Sequence, residues 1–345
     1  MNEKDLLTFS PKGIYCPRAD VFIDPTHPVD RAIITHAHAD HARWGHKYYI
    51  AQRQNKEILR LRLGKDINLT LQEFGEEFTI NGVTFSFHPA GHIWGSAQVR
   101  VAYKGEIWVA SGDYKTENDG FSPDFEPVRC HTFITESTFA LPVFQWRPQS
   151  EVMADINAWW AENARMKKTS IICAYALGKA QRIIFGVDTS IGPIFVHGAV
   201  WNVQQALEQD GAILPKVTYV SEELRKSTAE FNGGLVVTPA SAMGTSWMRK
   251  FQPFEIATVS GWMNIRGIKK RRNAGKGFVL SDHADWDGLN QAIKETGAEN
   301  VWVTHGYTET FARWLRQQGL NAQSVSNLTI REDQEVPDDS SGSAT

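Results

Sequence analysis

The segment Thr35-His36-Ala37-His38-Ala39-Asp40-His41 puts three imidazoles and a carboxylate into one short stretch. These side chains offer the donors that zinc, manganese or iron accept. On a loop, His36 and His38 can turn towards one ion, and Asp40 and His41 towards a second. The alanines at 37 and 39 leave room for a tight fold around cations. Crowding such groups with no cation between them would be costly, because each loses hydration. Four ligands are too few for two ions, so other segments must contribute. Gly91-His92, Ser111-Gly112-Asp113 and Thr304-His305-Gly306 each set a ligand-type residue beside glycine at the end of an apolar run. Two ions held this way would bring the pKa of a bound water down towards about 7, a chemistry shared by several hydrolase classes, so this loop alone does not choose the substrate.

The elements that must carry these residues follow from the apolar pattern. Val21-Phe22-Ile23 and Ala32-Ile33-Ile34 read as buried strands, and residues 83–87 and 98–103 alternate as half-buried strands do. Residues 107–110 and 132–134 add two more. A helix is expected directly after the histidine loop, and another over 52–63, where Ile58, Leu59 and Leu63 recur at helical spacing. From about 141 the pattern changes to strand-then-helix units, which predicts a parallel sheet flanked by helices. Residues 278–280 and 301–303 then read as strands of the first kind, each followed by a helix, with Asp285 as the N-cap of the first of these helices. The domain reading is therefore 1–140 with 278–328, an insert at 141–277, and an acidic tail at 329–345 expected to be disordered.

Taken together these motifs resemble the metallo-β-lactamase superfamily. Glu136-Ser137-Thr138, Ala176-Leu177-Gly178-Lys179-Ala180-Gln181 and Ser281-Asp282-His283-Ala284-Asp285 resemble the β-CASP nucleases within it. Tyr15-Cys16-Pro17-Arg18, Asp40-His41-Ala42-Arg43, Phe133-Ile134-Thr135-Glu136-Ser137-Thr138-Phe139, Gly192-Pro193-Ile194-Phe195-Val196-His197-Gly198-Ala199 and Leu280-Ser281-Asp282-His283-Ala284-Asp285-Trp286 are most similar to the bacterial ligase-associated DNA exonucleases. The resemblance covers nearly the whole chain apart from the acidic tail. It implies an α/β fold, a metallo-β-lactamase αββα sandwich with an inserted β-CASP-like α/β domain. It implies two divalent metal ions, zinc or manganese, one on His36, His38, His92 and Asp113 and one on Asp40, His41, His305 and the same Asp113. It gives Asp24 the role of orienting the histidine loop, and it makes His283 the general acid with Glu136 holding its ring.

The implied activity is a two-metal DNA exonuclease in DNA repair, entering single strands from a 5′ end. A DNA ligase and a helicase of the same pathway are the implied partners. RNA is the competing substrate: RNA-cleaving β-CASP members resemble this chain at His305, where the crosslink-repair DNA nucleases carry valine. Substrate grip is expected from the 176–181 turn with Lys179, from the turn bracketed by Ser241 and Ser246, and from Lys269, Lys270, Arg271 and Arg272. Trp44 and Trp94, near the metal motifs, are candidates for stacking on bases. His27, His46, His88 and His131 are read as non-ligands, and His197, placed between a strand and a helix where it could approach a phosphate, is read as an ordinary histidine.

Composition sets the bounds. The chain has 345 residues, 42% hydrophobic and 22% charged, which suits ordinary globular domains. A net charge of −3 gives no global pull on nucleic acid, so binding must be local. No apolar run is long enough for a membrane span and the first residues are polar, so a cytoplasmic protein with no membrane contact is expected. Cys16, Cys130 and Cys173 follow no paired spacing and are expected to be free thiols.

Overall fold

The computed structural model describes residues 5–226, 231–265 and 275–325. The chain divides into two compact units. The first takes the chain up to Gln145, the short segment Gln209–Gly211 and the described residues from His283 onward. The second takes Trp146–Glu208 and Ala212–Asp282. The sequence placed the joins near 140 and 278, whereas the units meet at 145/146 and 282/283. The acidic tail and the Lys269–Arg272 run lie outside the described residues.

The first unit opens with six short strands, β1 (Thr8–Ser10), β2 (Gly13–Cys16), β3 (Val21–Ile23), β4 (Arg31–Ile34), β5 (Tyr48–Gln52) and β6 (Leu69–Gln72). They lie in sequence order in one sheet, antiparallel up to β3 and parallel beyond it. The helix expected after the histidine loop is absent. A single turn forms there, with the N–H groups of His41 and Ala42 both donating to His38 O. The chain then passes through Gly45 at a φ of 100°, which no right-handed helix accepts. The other expected helix is present as a 3₁₀ turn, Arg53–Asn55, leading into α1 (Lys56–Leu63), which buries Ile58, Leu59 and Leu63.

Five further strands begin a second sheet: β7 (Phe78–Ile80), β8 (Val83–Pro89), β9 (Ala97–Tyr103), β10 (Glu106–Ala110) and β11 (Thr132–Ser137). Ile14, Val21, Ile23 and Ile33 of the first sheet pack with Phe85, Phe87, Val99 and Val101 of the second in one core. Each such side chain contributes about 1.5–3 kcal/mol when fully buried, so this core holds the two sheets face to face.

The second unit is built on a six-stranded sheet that is parallel throughout. Its strands are β12 (Thr169–Cys173), β13 (Ile194–Val196), β14 (Thr218–Tyr219), β15 (Leu235–Thr238), β16 (Phe254–Val259) and β17 (Lys276–Phe278), in the order β14-β13-β15-β12-β16-β17. Alternate residues face opposite sides. Ile172, Val196, Val237 and Val259 pack with α2 (Gln149–Arg165) and α3 (Lys179–Gly186), while Ile171, Phe195 and Val236 pack with Phe231, Met248 and Phe251. A third helix, α4 (Gly198–Gln209), follows β13. Burial on both faces explains the continuous apolar runs of this stretch. Phe278, expected to open the returning part of the first domain, pairs with Val259 at the edge of this sheet instead.

The chain then completes the first unit with α5 (Trp286–Thr296), β18 (Asn300–Gly306), α6 (Thr308–Gln317) and β19 (Asn321–Ser324). Strands β18 and β19 extend the second sheet, giving the order β19-β18-β11-β10-β9-β8-β7. Val109, Phe133, Val301 and Val303 turn away from the inter-sheet core and pack under Leu289 and Ile293 of α5 and Phe311 and Leu315 of α6. Asp285 caps α5 as expected, its Oδ1 accepting from Gly288 N at 2.8 Å. All three cysteines are free and buried. Among the described residues no helix is long and apolar enough to cross a membrane.

Candidate metal centre

Asp24 and every candidate ligand come from a strand end or the loop just after one, and all belong to the first unit. Asp24 follows β3, the histidine loop follows β4, His92 follows β8, Asp113 follows β10, and His305 sits at the end of β18. Rigid strands therefore aim the loops. Two backbone positions show how tightly. Gly112 has a φ of 58°, and a Cβ there would stand 2.8 Å from Thr35 Cβ, so only glycine lets Asp113 approach the histidine loop. Gly306 has a φ of 84° and lies against the backbone of Ser137 and Thr138. Asp24 and His305 themselves have φ values of 45° and 49°, a strained region for side chains other than glycine that recurs at functional sites.

Three groups of possible donors share Asp113: one with His36, His38 and His92, a second with Asp40 and His41, and a third with Glu136 and His283. In the first, His38 Nδ1 is 3.1 Å from His36 Nε2 and 3.1 Å from His92 Nε2. Asp113 Oδ2 is 3.5 Å from His36 Nε2 and 3.8 Å from His92 Nε2. In the second, His41 Nε2 is 3.3 Å from Asp113 Oδ2 and 3.7 Å from Asp40 Oδ2. Within each set the donor atoms lie within 4.8 Å of one another. His305 does not complete that spacing, but its ring centroid is 5.4 Å from that of His41. Its Nδ1 is buried with no hydrogen-bond partner, as is Asp113 Oδ1.

These residues fit divalent ions. Nitrogens on one tetrahedral zinc stand about 3.3 Å apart, close to the spacing in the first set. Buried polar atoms without partners are costly unless something else satisfies them, and a cation beside His305 and Asp113 would do so. The charge balance agrees. Burial, then the charge of His41, holds the His36 ring well below the ordinary imidazole range. Burial also pulls on His41, yet the carboxylates of Asp113, Asp40 and Asp24 overcome it and hold that ring well above the range. Asp113 is held well below the carboxylate range, the charge of His41 overcoming the opposing effect of burial.

Asp24 fixes this arrangement. Its Oδ1 accepts from Thr35 N at 2.8 Å, and its Oδ2 accepts from Thr35 Oγ1 at 2.6 Å. The same Oδ2 is 2.7 Å from His41 Nδ1, which commits that nitrogen and leaves Nε2 facing Asp113. Thr35, not singled out in the sequence, also meets His36 Nδ1 at 3.0 Å. A threonine just before the histidine run was the available signal.

His283 stands beside the first set, its ring centroid 4.6 Å from that of His92. Its Nδ1 faces both oxygens of Glu136, at 3.0 and 2.9 Å. Glu136 is buried and also accepts from Tyr114 N and Thr138 Oγ1. Ser137, the middle residue of that motif, donates to the carbonyls of Thr304 and His305 and so ties β11 to the end of β18 that carries His305.

The expected nucleic-acid contacts fare differently. Lys179 does not present a free ammonium: it is buried, and its Nζ pairs with Asp282 Oδ2 at 3.1 Å. Arg182 pairs with the other oxygen of Asp282, also at 3.1 Å. At the start of α3, Gly178 N donates to Gln181 Oε1 and Ala180 N to Tyr175 O, so these donors are already used within the turn. Ser241 and Ser246 are exposed on the loop after β15. Lys269, Lys270, Arg271 and Arg272 lie outside the described residues. His27, His46, His88, His131 and His197 belong to none of the donor sets among the described residues. Trp94 is half-buried and packs on Phe121, whereas Trp44 is 77% exposed.

No family model matches the chain. Over 91% of its length it is 28% identical to a probable DNA ligase from Opitutus terrae, of which the match covers 30%. It is 28% identical to cleavage and polyadenylation specificity factor subunit 3-I of Arabidopsis thaliana, over 48% of this chain and 28% of that protein. It is 26% identical to the endoribonuclease YSH1 of Saccharomyces cerevisiae, over 73% of this chain and 31% of that protein. The chain therefore spans less than a third of the length of these curated relatives. A solved structure of a protein of unknown function from Enterococcus faecalis superposes with a TM-score of 0.59 at 11% identity, covering 81% of this chain and 76% of that one. The chain is thus similar to part of a probable DNA ligase and to parts of RNA-processing proteins, and it carries a histidine–aspartate cluster able to hold metal.

Proposed function

We propose that this chain is a metal-dependent phosphodiesterase of the metallo-β-lactamase type with an inserted β-CASP-like unit. On this reading it is a DNA exonuclease acting 5′ to 3′ on single strands in repair, alongside a DNA ligase and a helicase. The observation that carries the reading is the pair of donor sets sharing Asp113, with the Glu136–His283 pair beside them. His36, His38, His92 and Asp113 would hold one divalent ion, zinc or manganese, and Asp40, His41, His305 and Asp113 a second. When bound, such ions supply activated water and charge neutralisation at the phosphate.

The chain's own groups do the rest. Asp24 holds the His41 ring so that its Nε2 faces inward. Glu136 engages His283 Nδ1 and stabilises the protonated ring, so that Nε2 hands its proton to the leaving oxygen. Similarity along nearly all of the chain to part of a probable DNA ligase supports DNA as the substrate. Similarity to proteins named endoribonuclease supports the second reading, RNA cleavage.

The test is cleavage of end-labelled single-stranded DNA and a matched RNA with manganese or zinc, next to Asp40→Ala and His283→Ala. The expected outcome is release of mononucleotides from DNA, with RNA spared and label position giving the polarity. His283→Ala should lower the rate by roughly 10²–10⁴-fold. Preferential RNA cleavage would move the assignment to the second reading. Hydrolysis of small esters with neither polymer cut would end the nuclease reading.

A further inference from the structure

The chain has twelve tryptophans, and all of them lie among the described residues. Trp44 alone is exposed, at 77%, while the others are buried or half-buried. A rigid aromatic left in water on a loop asks for an occupant, although a single exposed apolar side chain is not by itself evidence of one. Its position supplies the further argument. Trp44 is three residues beyond His41, so its Cα stands at most about 11 Å from that of the ligand.

Its neighbours in sequence are cationic and aromatic. Arg43 precedes it, half-buried, with a buried Nε that has no hydrogen-bond partner. Lys47 is exposed, with its Nζ 5.3 Å above the ring of Tyr48, which is itself 45% exposed. Base-stacking rings interleaved with cations that track phosphates are what an unpaired nucleic-acid strand binds. A paired strand keeps its base faces stacked within the duplex and offers Trp44 none.

We propose that Trp44 is a substrate-positioning residue. Its indole stacks on a base of an unpaired strand next to the phosphate held at the metal centre, with Lys47 on the adjoining backbone. The proposal rests on the nuclease reading above for its substrate class and adds the residue that selects unpaired strands. It does not concern the metal ligands or the Glu136–His283 pair.

The experiment compares wild type, Trp44→Ala and Trp44→Phe in two measurements. The first is binding of fluorescein-labelled oligo-dT with manganese, read by anisotropy on each protein carrying His283→Ala in addition, so that cleavage does not intervene. The second is the KM and kcat for the same oligonucleotide with manganese, beside the rate on bis(p-nitrophenyl) phosphate, which has no base to stack. Trp44→Ala should weaken binding and raise KM about tenfold, with a smaller change in kcat and a smaller loss on the small diester. Trp44→Phe should recover most of the difference. Equal binding by wild type and Trp44→Ala, or no binding by wild type, overturns the proposal even where cleavage stands. A protein that binds the strand through Trp44 but cuts no nucleic acid supports the proposal and overturns the nuclease reading.

Discussion

Asp24 carries more of the site than its place in a turn suggests. One of its oxygens accepts from a backbone N–H, and the other meets both a hydroxyl and the His41 ring. An asparagine has the same shape but only one acceptor oxygen, so either orientation turns its NH₂ towards a donor. Asp24→Asn should therefore leave the ligands present but loosely aimed. Metal affinity should fall about 10–100-fold, with activity recovering at high metal; a metal titration of activity, run beside wild type, measures this. His46 makes a separate prediction. Burial lowers its pKa to about 4, against an ordinary 6.5, and neither ring nitrogen has a hydrogen-bond partner. Above pH 6.5 the ring is neutral folded or unfolded, and it costs no stability by titrating. As pH falls from 6.5 towards 4 the unfolded ring binds a proton that the folded ring refuses, so stability drops. His46→Phe should remove that loss, gaining about 2 kcal/mol relative to wild type between pH 7.5 and pH 5. Asp210, pushed up to about 6 by burial, works in the opposite direction but is common to both proteins. Urea melts at the two pH values in EDTA decide the matter, and an equal acid loss in both proteins would discard it.

At the scale of elements, the end of β18 is the vulnerable point. Gly306 lies so close to β11 that a Cβ would stand 2.6 Å from Thr138 Cα, and backbone cannot move aside cheaply. Gly306→Ala should cost at least about 2 kcal/mol and shift His305, lowering occupancy of the second ion more than the first. Gly75→Ala is the comparison, since Gly75 has a φ of 74° but nothing within 4 Å, and should cost only about 1 kcal/mol. Melting temperature and metal content per chain measure both variants. The sequence made such strand ends visible because apolar runs, glycine and ligand-type residues recur together around 91, 112 and 306. It also made the Asp285 cap visible, since capping is local. Features set by distant partners were hidden. Lys179 reads as an exposed cation until Asp282, far along the chain, is brought against it. Phe278 reads as the start of a returning strand until its pairing with Val259 assigns it to the other sheet. Asp24, alone before a proline, looks like an ordinary turn residue, and its role was legible only through the family resemblance. The missing helix after the histidine loop has a local cause, the left-handed backbone at Gly45.

Across the whole molecule, Asp24 and the candidate ligands of the first unit come from both sides of the second in sequence. Asp24, the histidine loop, His92 and Asp113 precede it, and His305 follows it. Ions bound here would tie together parts of one unit that are far apart in sequence, whereas the second unit has no such cluster among its described residues. Metal should therefore stabilise the first unit selectively. Ligand at a hundredfold over its Kd adds about 2.7 kcal/mol to the folded state, or roughly 5–10 °C for a unit of this size. Calorimetry in saturating zinc and in EDTA should show that shift for one transition and little for any other. Asp113 is shared by both donor sets. Asp113→Ala should then abolish the zinc response instead of halving it, because its loss weakens both sites and leaves His41 without its strongest counter-charge. An unchanged zinc shift in Asp113→Ala would show that neither set depends on this carboxylate, and no shift at all in wild type would remove the metal centre from the account.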